Sequence, residues 1–393
     1  MKKAEQMIGT PMADVGLNSN LEVDQRKFHI QTSTSIDGGY IKSEVFEQGR
    51  LLYSEQYYYE RRRQQDGRGL ERRIRQLADQ FHRTIVEEIE ALFHISERVN
   101  QENDALAHEK IGRIFLFMHV YDKAEFHFSR AMELNPQRYS SGVYLGRTYY
   151  RQRKFQQAHA VLSNLLKYNI QYPDFYNLFG LISLERKQYI QALQYLKQAL
   201  HYNPEYVEAH VNLMRVLLRR IQFLRAENRS EEKNKVISFL KITLQKVHEI
   251  GDEATQKFVQ QLYQQIQKGA VNKAVAYADE FFEKHFEKRF PPELIGHQFY
   301  LFLKYYSDEV TFSLLERFEE RLQQAIDARI NYPDLWYYIG LIHLMQCRHY
   351  FLQGKDYFRE ATRINPNFEK AAKNRRIIEN DSREFLALIK AIV

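Results

Sequence analysis

The chain has 393 residues and a mass of 47.2 kDa, enough for two or three domains with substantial cores. Hydrophobic residues make up 44% and charged residues 27%, ordinary globular proportions, while only 16 Gly and 8 Pro exclude collagen-like and Pro-rich classes and leave mostly helix. Lys and Arg number 57 against 50 Asp and Glu, a net charge of +7. The single cysteine, Cys347, excludes an intramolecular disulfide or a Cys-based zinc site. No window offers 18 consecutive apolar residues, mean hydropathy is -0.58, and no apolar stretch follows Met1-Lys2-Lys3, so the expectation is a cytoplasmic protein with no membrane span and no secretory signal.

Residues 1–26 show no period and are expected to form a flexible tail. Over 27–60 the pattern alternates every second residue. Phe28, Ile30 and Thr32 face one way, Asp37-Gly38-Gly39 signals a turn, and Tyr40 to Phe46 and Leu51 to Tyr59 follow as strands joined at Glu47-Gln48-Gly49. This predicts a small antiparallel β hairpin or meander of three strands, too small to stand without a helix or another copy behind it.

Residues 61–100 read as an Arg-rich linker and a long helix from Arg68 to about Val99. Leu70, Ile74, Leu77 and Phe81 keep heptad spacing, resumed after a stutter by Ile85, Leu92, Ile95 and Val99. The helix either dimerises the protein as a short coiled coil or packs on its own β module and the helices that follow. The stretch 60–75 carries Arg61, Arg62, Arg63, Arg68, Arg72, Arg73 and Arg75 against Glu60, Asp66 and Glu71, so 7 − 3 = +4 of the net charge sits there. Arg61, Arg62, Arg63, Arg72 and Arg73 are candidate contacts to phosphates or an anionic membrane, with Tyr57, Tyr58 and Tyr59 able to stack on bases. The interleaved acids and modest total charge argue against nucleic acid.

From residue 105 the chain repeats. Gly112, Gly146 and Gly180 are 34 residues apart, and twelve residues after each comes Ala124, Ala158 or Ala192. Phe128, Leu162 and Leu196 follow, then Ala131, Leu165 and Ala199, with Pro136 and Pro204 after the first and third units. Small residues at these places let two antiparallel helices approach closely while larger ones fill the seam. The pattern resembles the tetratricopeptide repeat, with four units over 105–251 that start at Ala105, Tyr139, Pro173 and Val207; Leu145-Gly146 and Tyr149 agree fully in the second. The fourth has Met214 in place of Gly and an insertion that delays its second helix to near Glu231. Residues 252–332 read as four helices in degenerate repeats, with Leu315, Phe318, Leu322, Ala325 and Ile330 as one second helix. Tyr332-Pro333-Asp334-Leu335-Trp336 and Gly340-Leu341-Ile342 echo Tyr172-Pro173-Asp174-Phe175-Tyr176 and Gly180-Leu181-Ile182. The segment 333–393 is thus expected to be a C-terminal repeat, broken by a turn with two extra residues, then capping helices with Ser382 as an N-cap.

The resemblance implies an all-α fold: a tetratricopeptide-type α-solenoid, a right-handed superhelix of helix pairs, preceded by the β module and the long linking helix. It also implies a concave groove lined from positions 2, 5, 9, 12 and 13 of each first helix. There this chain has Arg113, Arg147 and Arg215, with Arg151 and Arg219 beside them and Tyr150 and Asn177 between. Such a strip suits bidentate contacts to carboxylates on a partner. The alternative is that these arginines pair with Glu109, Glu185 and Glu208 on neighbouring inner positions. A chaperone-tail receptor does not fit, because Glu109 stands where that group has Lys.

Catalytic chemistry finds no support in the residues. Asp66-Gly67-Arg68-Gly69 lacks the phosphate-loop spacing, His108-Glu109 lacks the second His of a zinc protease, and His343, Cys347 and His349 read as ordinary repeat residues. The expectation is therefore a non-enzymatic scaffold or adaptor without cofactor or metal, holding an acidic or extended segment of a partner protein. A self-assembling component of a larger bacterial complex, joined as a homodimer or larger through the β module and long helix, is the second reading, and nucleic-acid association the third.

Overall fold

A computed structural model describes residues 14–59, 67–287, 293–306, 309–327 and 333–392. The chain divides into two compact units, one of residues 1–120 with 292–393 and one of 121–291. The first holds strands β1 (Gly16–Val23), β2 (Arg26–Ser35), β3 (Tyr40–Glu47) and β4 (Arg50–Tyr58), helices α1 (Gly67–Gln101) and α2 (Ala105–Phe117), and, far along the chain, α12 (Glu293–Tyr306), α13 (Phe312–Asp327), α14 (Pro333–Ile364) and α15 (Glu369–Ile392). The second runs from α3 (Tyr121–Leu134) through α4 (Tyr139–Arg151), α5 (Phe155–Leu165), α6 (Pro173–Glu185), α7 (Tyr189–Tyr202), α8 (Val207–Ala226), α9 (Ser230–Ile250) and α10 (Glu253–Gln267) to α11 (Val271–Phe282).

The sheet is an antiparallel meander in the order β1-β2-β3-β4. It has one strand more than the sequence pattern predicts: Gly16–Val23 pairs with β2 from Gly16↔Ser33 to Val23↔Arg26, so residues 16–23 of the expected tail are ordered strand, and residues 1–13 lie outside the described residues. The hairpin joining β1 to β2 turns on Asp24 and Gln25, at φ 54° and 59°. Two successive residues at positive φ make the tight turn whose twist matches the strands, but Asp-Gln lacks the glycine that normally advertises it. By contrast, the β3–β4 turn uses Gln48-Gly49 and is legible in the sequence.

One face of the sheet buries Phe28, Ile30, Ile41 and Val45 against α1, where Ile74, Ala78, Ile85, Ile89 and Phe93 are buried. Phe28 and Phe93 meet with ring centroids 5.4 Å apart. His82 of α1 ties down two strands, its Nδ1 at 2.8 Å from Thr32 Oγ1 and its Nε2 at 2.9 Å from Ser19 Oγ. α1 also packs on α2, α12 and α13. Ile74, Ile85, Leu92, Ile95 and Val99 of the seam that heptad spacing offers to a dimer are therefore buried among the chain's own elements.

Within that apolar contact lies an ionic cluster that no sequence pattern marked. Glu88 of α1 is buried and accepts hydrogen bonds from Gln298 of α12 and from Arg317 (2.7 Å) and Arg321 (3.0 Å) of α13. Arg317 reaches on to Glu55 of β4 at 2.6 Å and lies over the Phe81 ring at 5.2 Å. Burial pushes the Glu88 carboxyl up, but the two guanidiniums and the Gln298 amide outweigh it and hold it below the usual carboxylate range. One cluster thus fastens sheet, long helix and C-terminal helices together.

The second unit is a series of helix hairpins. α4 folds on α5, α6 on α7, α8 on α9 and α10 on α11. Each closes through the same turn: a residue at positive φ (Arg153, Lys187, Asn228, Gly269) whose flanking N–H groups bond back into the last turn of the first helix, as Arg186 to Ile182, Lys187 to Leu184 and Gln188 to Ser183. The same turn follows α2 at His119. Close approach in the hairpins depends on glycine: a Cβ at Gly146 would lie 2.8 Å from Leu162 Cδ2, and one at Gly180 2.6 Å from Leu196 Cγ. The insertion in the fourth repeat is absorbed by length. α8 has 20 residues against 13 in α6, seven more, which is two helical turns and restores the facing of the second helix.

Three expectations for the C-terminal part change. Residues 252–332 do not continue one array, since α10 and α11 belong to the second unit and α12 and α13 to the first. The echo of the repeat at 333–366 forms one uninterrupted helix, α14, of 32 residues. Nothing between Gln346 and Leu352 breaks a helix, and the residues beyond do not fold back to cover its start: Tyr337, Tyr350 and Tyr357 stay exposed, and Gly340 has open space where a Cβ would sit. α15 likewise runs through position 382, so Ser382 lies in the interior of a helix and not at the start of one; Ile330 lies outside the described residues.

Candidate partner-binding surface

Six of the expected groove residues, Arg147, Tyr150, Arg151, Asn177, Arg215 and Arg219, fall in the second unit, and Arg113 falls in the first. In the second unit they do not form one open strip. Asn177 is fully buried and donates to Glu208 Oε1 at 2.8 Å while accepting from Asn212 at 2.9 Å. Asn212 accepts in turn from Arg215 Nη1 at 3.0 Å. The Arg215 Nε donates to Asp279 of α11 at 2.9 Å, and Arg219 reaches the other oxygen of the same carboxylate at 2.5 Å. The Arg215 guanidinium lies 4.2 Å from the Phe282 ring centroid.

The cause is α11, which lies antiparallel along α8, with Gln222 meeting Asn272 at one end and Arg215 meeting Phe282 at the other. Leu181, Leu184, Val211 and Leu218, which occupy inner positions of α6 and α8, share one apolar cluster with Ala278 and Phe282 of α11. The chain fills its own groove there. Asn177 and Arg215, expected as partner contacts, serve instead as a buried ladder from α6 to α11, and Arg219 is tied to Asp279. Such a ladder is stable because every buried charge has a partner. The acid that pairs with Arg215 is Asp279, 64 residues away and not among the inner-position glutamates that the repeat spacing offered.

Next to the ladder stands Tyr206. Burial raises its pKa well above the ordinary tyrosine value, Glu208 adds to this, and the positive charge of Arg147 on α4 opposes it. Arg147, Tyr150 and Arg151 are each half-exposed on α4, and Tyr150 packs on Phe155 with centroids 5.8 Å apart. At the start of α4 a cavity of about 460 Å3 is lined by Arg138, Tyr139, Val143, Tyr144, Tyr172 and Asp174 among others. Asp174 and Val143 occupy inner positions of their repeats, so the open part of the concave face runs along α4 to the beginning of α6.

Of the arginine cluster at 61–75, Arg61, Arg62 and Arg63 lie outside the described residues. Arg72 is exposed on α1, and Arg73 is half-buried and close enough to Tyr57 to counter the upward push that burial gives that hydroxyl. No group of three or more His, Cys, Asp and Glu residues able to hold a metal ion occurs among the described residues. No helix among them is long and apolar enough to cross a membrane.

Against known families, residues 118–199 match the one described as anaphase-promoting complex, cyclosome, subunit 3, and residues 183–229 match the tetratricopeptide repeat. Both matches fall on the helix hairpins of 118–229 and support a tetratricopeptide repeat protein. No curated protein matches it. Among solved structures it is similar to YrrB, described as a TPR protein with an unusual peptide-binding site, at 14% identity and a TM-score of 0.32, covering 62% of this chain and 95% of that one. It is also similar to TTC0263, a thermophilic TPR protein of Thermus thermophilus (16% identity, TM-score 0.31, 61% of this chain and 100% of that one). A tetratricopeptide repeat protein from Parabacteroides merdae ATCC 43184 shares 14% identity at a TM-score of 0.34, over 70% of this chain and all of that one.

Proposed function

We propose that the protein is a non-enzymatic scaffold that binds an acidic, extended segment of a partner protein along α4, with Arg147 and Arg151 contacting carboxylates and Tyr150 supplying apolar area. One observation carries this choice over the longer groove: Asn177 and Arg215 are buried, whereas Arg147, Tyr150 and Arg151 are half-exposed on α4, whose start borders a cavity. Two arginines one helical turn apart with a tyrosine between them suit a strand of alternating acidic and aromatic side chains. Rigid repeat helices hold these groups in place before the partner arrives, which lowers the ordering cost of binding.

The test is capture of partners from native lysate by the wild type and by Arg147→Glu/Arg151→Glu, at low and moderate salt, with helicity confirmed for both. Retention by the wild type that falls with salt and is lost in the variant supports the α4 site. Identical prey on both proteins removes it.

A further inference from the structure

One face of α14 carries a stripe with a period of seven. Trp336, His343, Tyr350, Tyr357 and Ile364 recur every seventh residue, and Gly340, Cys347, Gly354 and Ala361 fall four residues after each of the first four. Large and small residues thus alternate at steps of four and three, the spacing of a seam between two helices. The large members are exposed: Trp336 at 57%, Tyr350 at 58%, Tyr357 at 67%, Ile364 at 73%, and the His343 side chain at 58%. Gly340 and Gly354 have open space where a Cβ would sit, and Cys347 is exposed. The buried Leu341, Ile342 and Met345 lie on the opposite side of the helix. Charge avoids the stripe: Asp334, Arg348, Lys355, Asp356, Arg359 and Arg363 lie on other faces, and Glu360 alone borders it.

Such a face is complementary to itself. α14 spans Pro333–Ile364, so its midpoint falls between Arg348 and His349. A two-fold axis at that point, with a second α14 antiparallel, sets each large side chain opposite a small one. Trp336 meets Ala361, His343 meets Gly354, Tyr350 meets Cys347 and Tyr357 meets Gly340, and symmetry forms each pair twice. Because the axis that satisfies every pair is also the midpoint, the two helices overlap along their full length, about 48 Å for 32 residues. The hairpins of the second unit use a contact of the same kind. There Gly146 faces Leu162 and Gly180 faces Leu196, sixteen residues further on in the returning helix. With the two extra residues of 333–366, the equivalent of Leu196 is Phe358, next to Tyr357. In α14 the chain does not turn back, so these residues are carried away from Gly340 along the same helix.

We propose that two copies of this protein pair through α14, the first half of each helix taking the second half of the other as the hairpin partner it lacks. This is an exchange of equivalent elements between copies, a route to a dimer that reuses contacts the sequence already encodes. His343 and Tyr350 are held from within the chain, His343 by Glu319 at 2.9 Å and Tyr350 by the Phe312 ring at 5.1 Å between centroids, which lowers the cost of ordering them. A buried aromatic contributes about 150–250 Å2, so a stripe more than half exposed, flanked by Tyr337 and Phe358, loses roughly 600–800 Å2 per copy. The total falls within the ~1,200–2,000 Å2 of specific, stable interfaces. The proposal does not rest on the α4 reading, since it uses a helix of the other unit.

Light scattering on the full chain across the micromolar range tests it. The mass should rise reversibly from 47.2 kDa toward twice that value. The emission of Trp336, the single tryptophan, should shift to the blue over the same range as the ring settles on Ala361. Cys347 is the single cysteine, and its two copies lie either side of the axis, offset by three residues or about 4.5 Å along it. A short bismaleimide should therefore join two chains, and Cys347→Ser should abolish the product. Gly340→Leu/Gly354→Leu fills the holes while making the stripe more apolar and more helical, and should weaken dimerisation by about tenfold or more. Tyr357→Glu should weaken it at least as much. Both variants change positions exposed in the single chain, and circular dichroism checks that they fold. In the dilute monomer Gly340 keeps its open space, so alanine there acts through helix propensity alone. Arg147→Glu, on the other unit, should leave the dimer unchanged, so failure here is separable from failure of the α4 site. A monomer at every concentration overturns the proposal and leaves the stripe to a helix of a different protein. A dimer that resists cross-linking, or one that the double glycine variant strengthens, overturns it as well.

Discussion

The two units of this protein are held by different kinds of contact. From α4 to α9 in the second unit, helices that follow one another pack on one another, joined by short turns and spaced by glycine and alanine. In the first unit the decisive contacts join residues far apart in the chain: Glu88 with Gln298, Arg317 and Arg321, Glu55 with Arg317, and Asp104 with Lys304. The first arrangement is assembled from repeated local solutions. The second exists only once the chain has returned, and it rests on buried charge, for which loss of one partner is costly.

The largest expected effect breaks the non-local unit. Glu88→Gln leaves Arg317 and Arg321 buried without their shared carboxylate and should cost about 3 to 5 kcal/mol in denaturant unfolding. Replacing all three residues by apolar side chains of similar volume should recover most of it, which would show that pairing, not charge itself, is what the fold requires.

Next comes a contrast between two glycines at the same repeat position. Gly180→Ala drives a methyl against Leu196 and should destabilise the second unit by about 1 to 2 kcal/mol. Gly340→Ala, in a helix with open space at that point, should stabilise by up to about 1 kcal/mol through helix propensity. Thermal unfolding of the two variants should therefore move in opposite directions. A drop for both would mean that α14 does fold into a hairpin.

A smaller gain is expected at the turns. Lys187 holds φ 60° with a full side chain, so Lys187→Gly should stabilise by about 1 kcal/mol or less, the left-handed strain removed being partly offset by greater freedom in the unfolded chain. The smallest effect concerns pH. Burial lowers the His82 pKa, with Asp79 pulling weakly the other way, so the folded value lies below the unfolded value of about 6.5. Its contribution to docking the sheet is complete above that value and is lost as pH falls through the folded pKa. Going from about pH 7.5 to about pH 5.5, the unfolding midpoint should decrease, and His82→Gln should flatten that decrease.

Much of the second unit could be read directly because its determinants recur at fixed spacing. Gly146 and Gly180, Ala158 and Ala192, and the displaced start of α9 all follow from a period and from helix geometry. β1 is not marked in the sequence because its turn, Asp24-Gln25, carries no glycine. The break expected within 333–366 rests on an echo of residues, yet the echo lacks a second helix folded back onto Gly340 and Trp336 to make them pack as they do in a repeat. The candidate site was legible only in its cations. Arg113, Arg147 and Arg151 were visible as residues on first helices, but Asp279, the acid that sequesters Arg215 and Arg219, comes from a segment with no period.

What the sequence determined by itself is the repeat class, the hairpin unit and the faces that helices present to their neighbours, because these depend on contacts within one or two turns or one repeat. Only the tertiary structure decided which of those faces stay open. Whether an arginine on an inner face meets a partner or an internal carboxylate depends on where α11 returns, and that return is fixed by packing and charge pairing across many tens of residues, on which local spacing places no constraint.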